Sequence, residues 1–497
     1  MTAPVPASAL RMGTTAGRGT LLAAVLASGM VFLDSTVVNV ALPKLGQDLG
    51  ANVADLQWTI NGYLLMLAAF VLLGGALGDR FGRRRVFLIG VVWFTAASVL
   101  CGLAQGTGML IAARFLQGAG GALLTPGSLS VLQASFHPDD RGRAIGAWAG
   151  LSGVSTALGP FIGGWLIDAL SWRWIFFLNL PIAVLVLLAA LRWVPESRDE
   201  SASRTQGRGP TRRRFDVAGA LLGALALAGV TYALIDAPAR GFDSAEVLIA
   251  AVVGVLSAVA FVLLERRRGD AAMLPTGLFG SRLFSVLNLF TVVVYAALGG
   301  FTFFFAVYLQ NVVGWSAFRT GIALLPMTLL LLVGSARAGA LSARIGPRLP
   351  LAIGPVIAAV GLLLLRGVGP GASYWRDVLP GVLLFGIGLT LVVAPLTASV
   401  LAAVQDRFSG VASGFNNAAS RAGGLLAVAA LPLLVGLSGG GYEQKAELTD
   451  AFRGAMEWCA GLLVAGAVLA LVLVHRPPRK APPSQPCHSL PAATPPK

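Results

Sequence analysis

The stretch GALGDRFGRR, Gly75 to Arg84, recurs in altered form as GALSARIGPR, Gly339 to Arg348. Each copy closes an apolar run and opens another. Its glycines suit a tight turn, and its arginines suit the polar edge of a membrane. Two further pairs follow in the same order at nearly the same offset. LTPGSLSVL (124–132) resembles VAPLTASVL (393–401), and RGRAIGAWAG (141–150) resembles FSGVASGFNN (408–417). Three ordered matches imply that the first and last parts of the chain are copies of one unit. Repeated helical units with a binding site between them are a transporter architecture.

Composition agrees. The 497 residues are 56% hydrophobic and 12% charged. Soluble domains carry about 25% charged residues, so the chain is expected to be an integral membrane protein, all-α, crossing the bilayer many times. Spans need about 20 apolar residues, and fourteen candidates fit between residues 20 and 474. The resulting organisation is an N-terminal tail (1–19), a six-helix half (20–194), a polar basic linker (195–214) and two inserted helices (215–264). A second six-helix half (284–474) and a Pro-rich tail (475–497), expected to be disordered, complete it. The net charge of +15 would suggest nucleic acid in a soluble protein. Here the spans place 27 Lys and Arg on one side, 8 on the other and Arg114 and Arg421 in the membrane. That asymmetry predicts both termini in the cytoplasm, and no nucleic-acid partner. Cys101, Cys459 and Cys487 have no metal spacing, and the histidines fall in loops or the tail. No nucleophile, base or metal cluster argues for an enzyme.

One residue violates the lipid pattern. Asp34 sits inside FLDSTVVNVALP (32–43), where a carboxylate costs about 2.5–3.5 kcal/mol on insertion scales. Burial disfavours its charge and a neighbouring cation would favour it. Such a group can take a proton from one side and release it to the other. The static alternative is an ion pair. In LIAARFLQGAGGALLTPG (110–127), Arg114, Gly118, Gly121 and Thr125 share a helical face. Arg114 needs acceptors there or must reach the interface. In the loop, Asp79, Arg80, Gly82 and Arg83 form a candidate latch between neighbouring helix ends. Ala343 stands at the repeat's equivalent of Asp79. Gly159, Pro160, Gly163 and Gly164 make a kinked, close-packing helix, readable as a hinge or as plain packing.

These motifs together resemble the major facilitator superfamily, and within it the fourteen-span drug–proton antiporters. LDSTVVNVALP (33–43) resembles that branch, and GALGDRFGRRR (75–85) the signature loop of the superfamily. RFLQGAGGA (114–122) is similar to a motif linked to proton transfer, and GPFIGG (159–164) to the antiporter motif. WRWIFFLNLPI (172–182) and GFNNAASRAGG (414–424) extend the likeness into both halves. The resemblance implies two six-helix halves plus two inserted helices. It also implies a proton-driven exporter of hydrophobic drugs or antibiotics in the cell membrane, working by alternating access. Asp34 and Arg114 would be neighbours and would carry the proton.

Candidate cavity residues are Gln57, Trp58, Asn61 and Gln117 in the first half. In the second they are Asn288, Tyr295, Phe304, Asn417 and Arg421. Aromatic faces suit hydrophobic or cationic compounds. Arg421 could equally meet an anionic cargo or brace its helix. The expected partners are a small hydrophobic or cationic substrate, protons and lipids, with the chain a monomer. No cofactor is expected beyond the proton as coupling ion. The competing readings are a transporter of one specific metabolite and a non-transporting receptor.

Overall fold

The computed structural model describes residues 10–197, 216–269, 274, 276–405 and 408–474. The expected linker therefore lies almost wholly outside the described residues, and the C-terminal tail entirely so. The described chain is helical. The first seven helices are α1 (Thr15–Leu49), α2 (Val53–Phe81), α3 (Arg83–Gly102), α4 (Thr107–Ser135), α5 (Pro138–Ala169), α6 (Trp174–Phe177) and α7 (Asn179–Trp193). An inserted pair follows, α8 (Val217–Arg240) and α9 (Ala245–Arg268). The last seven are α10 (Arg282–Asn311), α11 (Ala317–Ala323), α12 (Leu325–Ile345), α13 (Arg348–Leu365), α14 (Leu379–Ala402), α15 (Ser409–Leu434) and α16 (Lys445–Leu473).

Among the described residues, 13 helical runs are long and apolar enough to cross a membrane; α6–α7 and α11–α12 each count as one. The fourteenth pass is α4, whose 29 residues carry Arg114, Gln117 and several glycines. Its polar groups are covered by α2 and α3 instead of lipid, which is why composition alone undersells it. The apolar side chains of α9, Leu248 to Val262, are by contrast exposed in a band that suits hydrocarbon.

The repeat is visible in the backbone. Gly82 between α2 and α3 has φ +106°, and Gly346 between α12 and α13 has φ +91°. Both are conformations that glycine alone adopts without strain. Pro126 inside α4 and Pro395 inside α14 are likewise equivalent. A side chain at Gly75 would touch Pro126, and one at Gly339 would touch Ala394. The inserted pair is zipped at Gly229 and Gly254, where each backbone fills the space of the other's Cβ. Its helix α8 lies against both α2 and α15 and so covers one seam between the halves.

The boundaries differ from expectation at the N-terminus. Helix α1 begins at Thr15, capped by the Thr14 hydroxyl. The Leu10 amide donates to the Ser135 carbonyl (2.8 Å), and the His137 amide donates to the Leu10 carbonyl (3.0 Å). Arg11 pairs with Asp139. This part of the tail is docked, because it satisfies backbone groups left open at the α4–α5 turn.

The hydrogen bonds that join the halves gather at one end of the bundle. Tyr442 Oη donates to the Ala51 carbonyl (2.6 Å), and the Val53 amide donates to the Gly439 carbonyl (3.0 Å). Gln310 donates to the Val40 carbonyl (2.8 Å). Asp168 accepts from the Ala317 and Phe318 amides (3.2 and 2.9 Å), capping α11 from across the seam. At the opposite end, marked by Asp79, α5 turns Gly142, Gly146, Gly150 and Gly153 toward open space. The halves are therefore clasped at the Gly439 end and parted along α5 at the Asp79 end.

Candidate functional site

The helical rise puts Asp34 about 22 Å from Leu49 and about 28 Å from Thr15, well inside α1. Its carboxylate is fully buried and doubly bonded. Arg114 Nη1 donates to Asp34 Oδ2 (2.6 Å), and Gln117 Nε2 donates to Asp34 Oδ1 (2.8 Å). Arg114 Nη1 also donates to Gln117 Oε1 (2.7 Å), and its Nε donates to the Thr59 carbonyl (3.0 Å). The guanidinium lies over the Tyr63 ring at 4.3 Å, and Tyr63 Oη donates to the Val31 carbonyl. Helices α1, α2 and α4 are thus tied at one level by one carboxylate, one guanidinium and one amide. Arg114 and Gln117 share a face because they are three residues apart.

The arrangement has a clear electrostatic logic. A buried ion pair holds only when its remaining donors and acceptors are satisfied. Here both Asp34 oxygens and the Arg114 Nε have partners. A proton added to Asp34 would remove the charge that balances Arg114 and convert an acceptor edge into a donor.

The helix α5 links this cluster to the other half. The space for side chains at Gly159 and Gly163 is occupied by Thr36 and Val37 of α1, two and three residues beyond Asp34. On the opposite side, a Cβ at Gly164 would lie 2.6 Å from the Ala317 carbonyl oxygen. The Pro160 carbonyl fills the space beside Gly321 of α11. The glycines of GPFIGG thus put three backbones in contact, and α5 is pressed between the acid-bearing helix and the second half.

The latch candidates lie at the far end. Arg83 bonds Asp79 through Nε (2.9 Å) and Nη2 (2.8 Å), joining the end of α2 to the start of α3 within one half. Beside Gly82, Glu196 accepts from the Arg84 amide (3.2 Å). Arg80 sits over the neighbouring Phe81 ring.

The cavity candidates separate into groups. Gln117 belongs to the Asp34 cluster. Gln57 donates to the Val428 and Ala429 carbonyls (2.7 and 3.0 Å), so it ties α2 to α15. Trp58 turns to the inserted pair, where its Nε1 donates to Asp236 (3.3 Å). Asn61 is fully buried, and its amide nitrogen and oxygen both lack a partner among the described residues. Asn288 donates to the Phe284 carbonyl and accepts from Asn416. Phe304 is packed in the core. Tyr295, Asn417 and Arg421 are half-buried, and Arg421 Nε donates to Asn417 Oδ1 (2.8 Å). The roles of Gln117 and Tyr63 in the cluster were missed from sequence. The three-residue spacing from Arg114 was the available signal for Gln117; nothing in the sequence marked Tyr63.

A buried charge cluster within one of two repeated helical halves that part at one end suits a membrane transporter. Residues 24–428 match the family model described as Major Facilitator Superfamily, and the chain belongs to that family, whose members are transporters and not enzymes. It is 37% identical over 440 residues to the tetracenomycin C resistance and export protein of Streptomyces glaucescens, covering 87% of this chain and 78% of that one. It is 36% identical to the puromycin resistance protein of Streptomyces alboniger, covering 90% and 89%. With the methylenomycin A resistance protein of Bacillus subtilis the identity is 35%, over 91% and 95%. Among solved structures, a bacterial homologue of the human lysosomal transporter Spinster, described as inward-facing and unoccupied, superposes with a TM-score of 0.63. Its sequence identity is 18%, over 93% of this chain and 97% of that one. A peptide transporter in complex with sulfate gives a TM-score of 0.65 at 17% identity, over 94% and 98%.

Proposed function

We propose that this protein exports small, largely hydrophobic compounds of antibiotic type across the cell membrane, driven by protons that enter in exchange. The observation that carries the reading is the buried Asp34–Arg114–Gln117 cluster. Relatives named for antibiotic resistance or export support the choice of cargo. The charge asymmetry of the loops supports a cytoplasmic position for the Asp79 end. In that orientation the parting along α5 opens toward the cytoplasm and the clasped Gly439 end faces outward, as an inward-facing transporter would.

The cycle then has one chemical switch. With Asp34 ionised, α1 and α4 are held together and cargo enters from the cytoplasm. The halves rock, and cargo leaves to the outside. A proton taken up by Asp34 unbalances Arg114, and the altered bonding passes along α1 to the Gly159–Gly164 joint with α5 and α11. That movement resets the inward-facing state, and the proton leaves to the cytoplasm. Asp79 and Arg83 steady the inner ends of α2 and α3 in each state. The protein works as a monomer.

Everted membrane vesicles test the proposal, with cargo followed by fluorescence. Wild type should accumulate cargo when the lumen is acid and stop when a protonophore collapses the gradient. Asp34→Asn, which nearly keeps shape but does not titrate, should accumulate none. Undiminished uphill transport by that variant would refute the coupling role.

A further inference from the structure

Helices α2 and α15 run antiparallel along one seam in a consistent register. Gln57 meets Val428 and Ala429, and Leu72 fills the Cβ space of Gly414. This register sets Asn61 opposite Gly424, one turn from Arg421. Asn61 lies four residues after Gln57 and so shares its α15-directed face. Arg421 stands midway along α15.

A guanidinium at this depth needs counter-charge. Arg114 has Asp34. Arg421 has no carboxylate within ion-pair distance among the described residues, and its Nε donates to the neutral Asn417 amide. The two Nη groups are the fork that fits a carboxylate bidentately. The unpartnered Asn61 amide adds a donor and an acceptor on the facing helix. Close packing of α10 against α15 at Gly299, Gly423 and Gly424 leaves Tyr295 and Arg421 on the rim of the seam.

We propose that Arg421, with Asn61 across the seam, is the site that reads the cargo, and that the cargo is a flat hydrophobic compound bearing an ionised acid, a carboxylate or a phenolate. The proposal rests on the exporter reading and narrows it, away from the lipophilic cations that aromatic faces alone would favour. The acid group occupies the Nη fork, its ring lies along Tyr295, and the Asn61 amide takes a second polar substituent. Expelling an anion while admitting a proton moves positive charge inward on both counts. An inside-negative potential therefore assists export.

Fluorescein and rhodamine 123 share a xanthene frame but carry opposite charge, so they form a matched pair of probes. Fluorescence anisotropy with the purified full chain should show fluorescein binding tighter than rhodamine 123. Arg421→Gln should weaken fluorescein about tenfold or more, as expected for one charge-assisted contact, without weakening rhodamine 123. Arg421→Lys should recover part of the loss. Asn61→Leu should weaken fluorescein less than Arg421→Gln does. Equal fluorescein affinity in wild type and Arg421→Gln would overturn the proposal. So would equal loss for both dyes, or wild type that binds no fluorescein. A protein that binds fluorescein through Arg421 but does not move it uphill in vesicles would instead sink the exporter reading and leave the recognition site standing.

Discussion

Arg114 and Arg421 are set within α4 and α15, one in each half, and they are held in opposite ways. Arg114 is fully buried and bonded to Asp34, Gln117 and a backbone carbonyl. Arg421 is half-buried and bonded to a neutral asparagine through Nε. A cation paired in this way ties its helices together. A cation with its fork free has donors to spare, which is what the proposed recognition site uses. The two arginines stand on different helices of the repeat, since the match of FSGVASGFNN to RGRAIGAWAG sets α15 against α5, so the halves have diverged in where a buried cation sits. The loops diverged in parallel: Asp79 and Arg83 face each other in the first half, whereas Ala343 and Pro347 occupy those positions in the second.

Stability should separate the two arginines most sharply. Arg114→Leu leaves Asp34 as an uncompensated buried charge and should cost about 3–5 kcal/mol, read as a fall in melting temperature in detergent. Adding Asp34→Leu should restore much of that stability without restoring transport. Arg421→Leu should melt near wild type. An equal fall for Arg421→Leu would make that arginine a brace and dissolve the contrast. Next in size is the joint between halves. Gly164→Val drives a side chain into the Ala317 carbonyl, and overpacking of this kind costs about 1–3 kcal/mol. Spin labels at positions 48 and 438 should then report a longer distance at the Gly439 end. Asp168→Ala removes two amide acceptors from the same joint and should cost about 1–2 kcal/mol, with a smaller shift in the same labels. Smallest is the half-exposed Asp79–Arg83 pair. Asp79→Asn should change the melting temperature little, since such pairs contribute about 0–1 kcal/mol, yet slow transport. Ala343→Asp, which meets Pro347 instead of an arginine, should do neither.

Much of this was legible in the chain because membranes simplify the code. Apolar runs had to be helices, and the loop glycines at 82 and 346 betrayed the duplication before their positive φ values were seen. Asp34 stood out because lipid makes a carboxylate conspicuous. What stayed hidden were contacts that cost nothing in composition. Gln117 and Gln57 look alike in a polar-residue scan. Only packing shows that the first completes the Asp34 cluster while the second fastens α2 to α15. Phe304 read as a cavity aromatic and lies in the core instead, since nothing in its helical spacing distinguishes a packed ring from a lining one. The free fork of Arg421 was equally invisible, because pairing is decided by which helices meet.

The most direct test of the coupling claim is the proton movement that accompanies cargo flowing down its own gradient. Proteoliposomes carrying a luminal pH dye, with no imposed pH difference, would be given cargo on one side. Wild type should drive protons the opposite way as cargo crosses, and Asp34→Asn should pass cargo with no change in luminal pH. Cargo flux without proton movement in wild type, or undiminished proton movement in Asp34→Asn, would contradict the account.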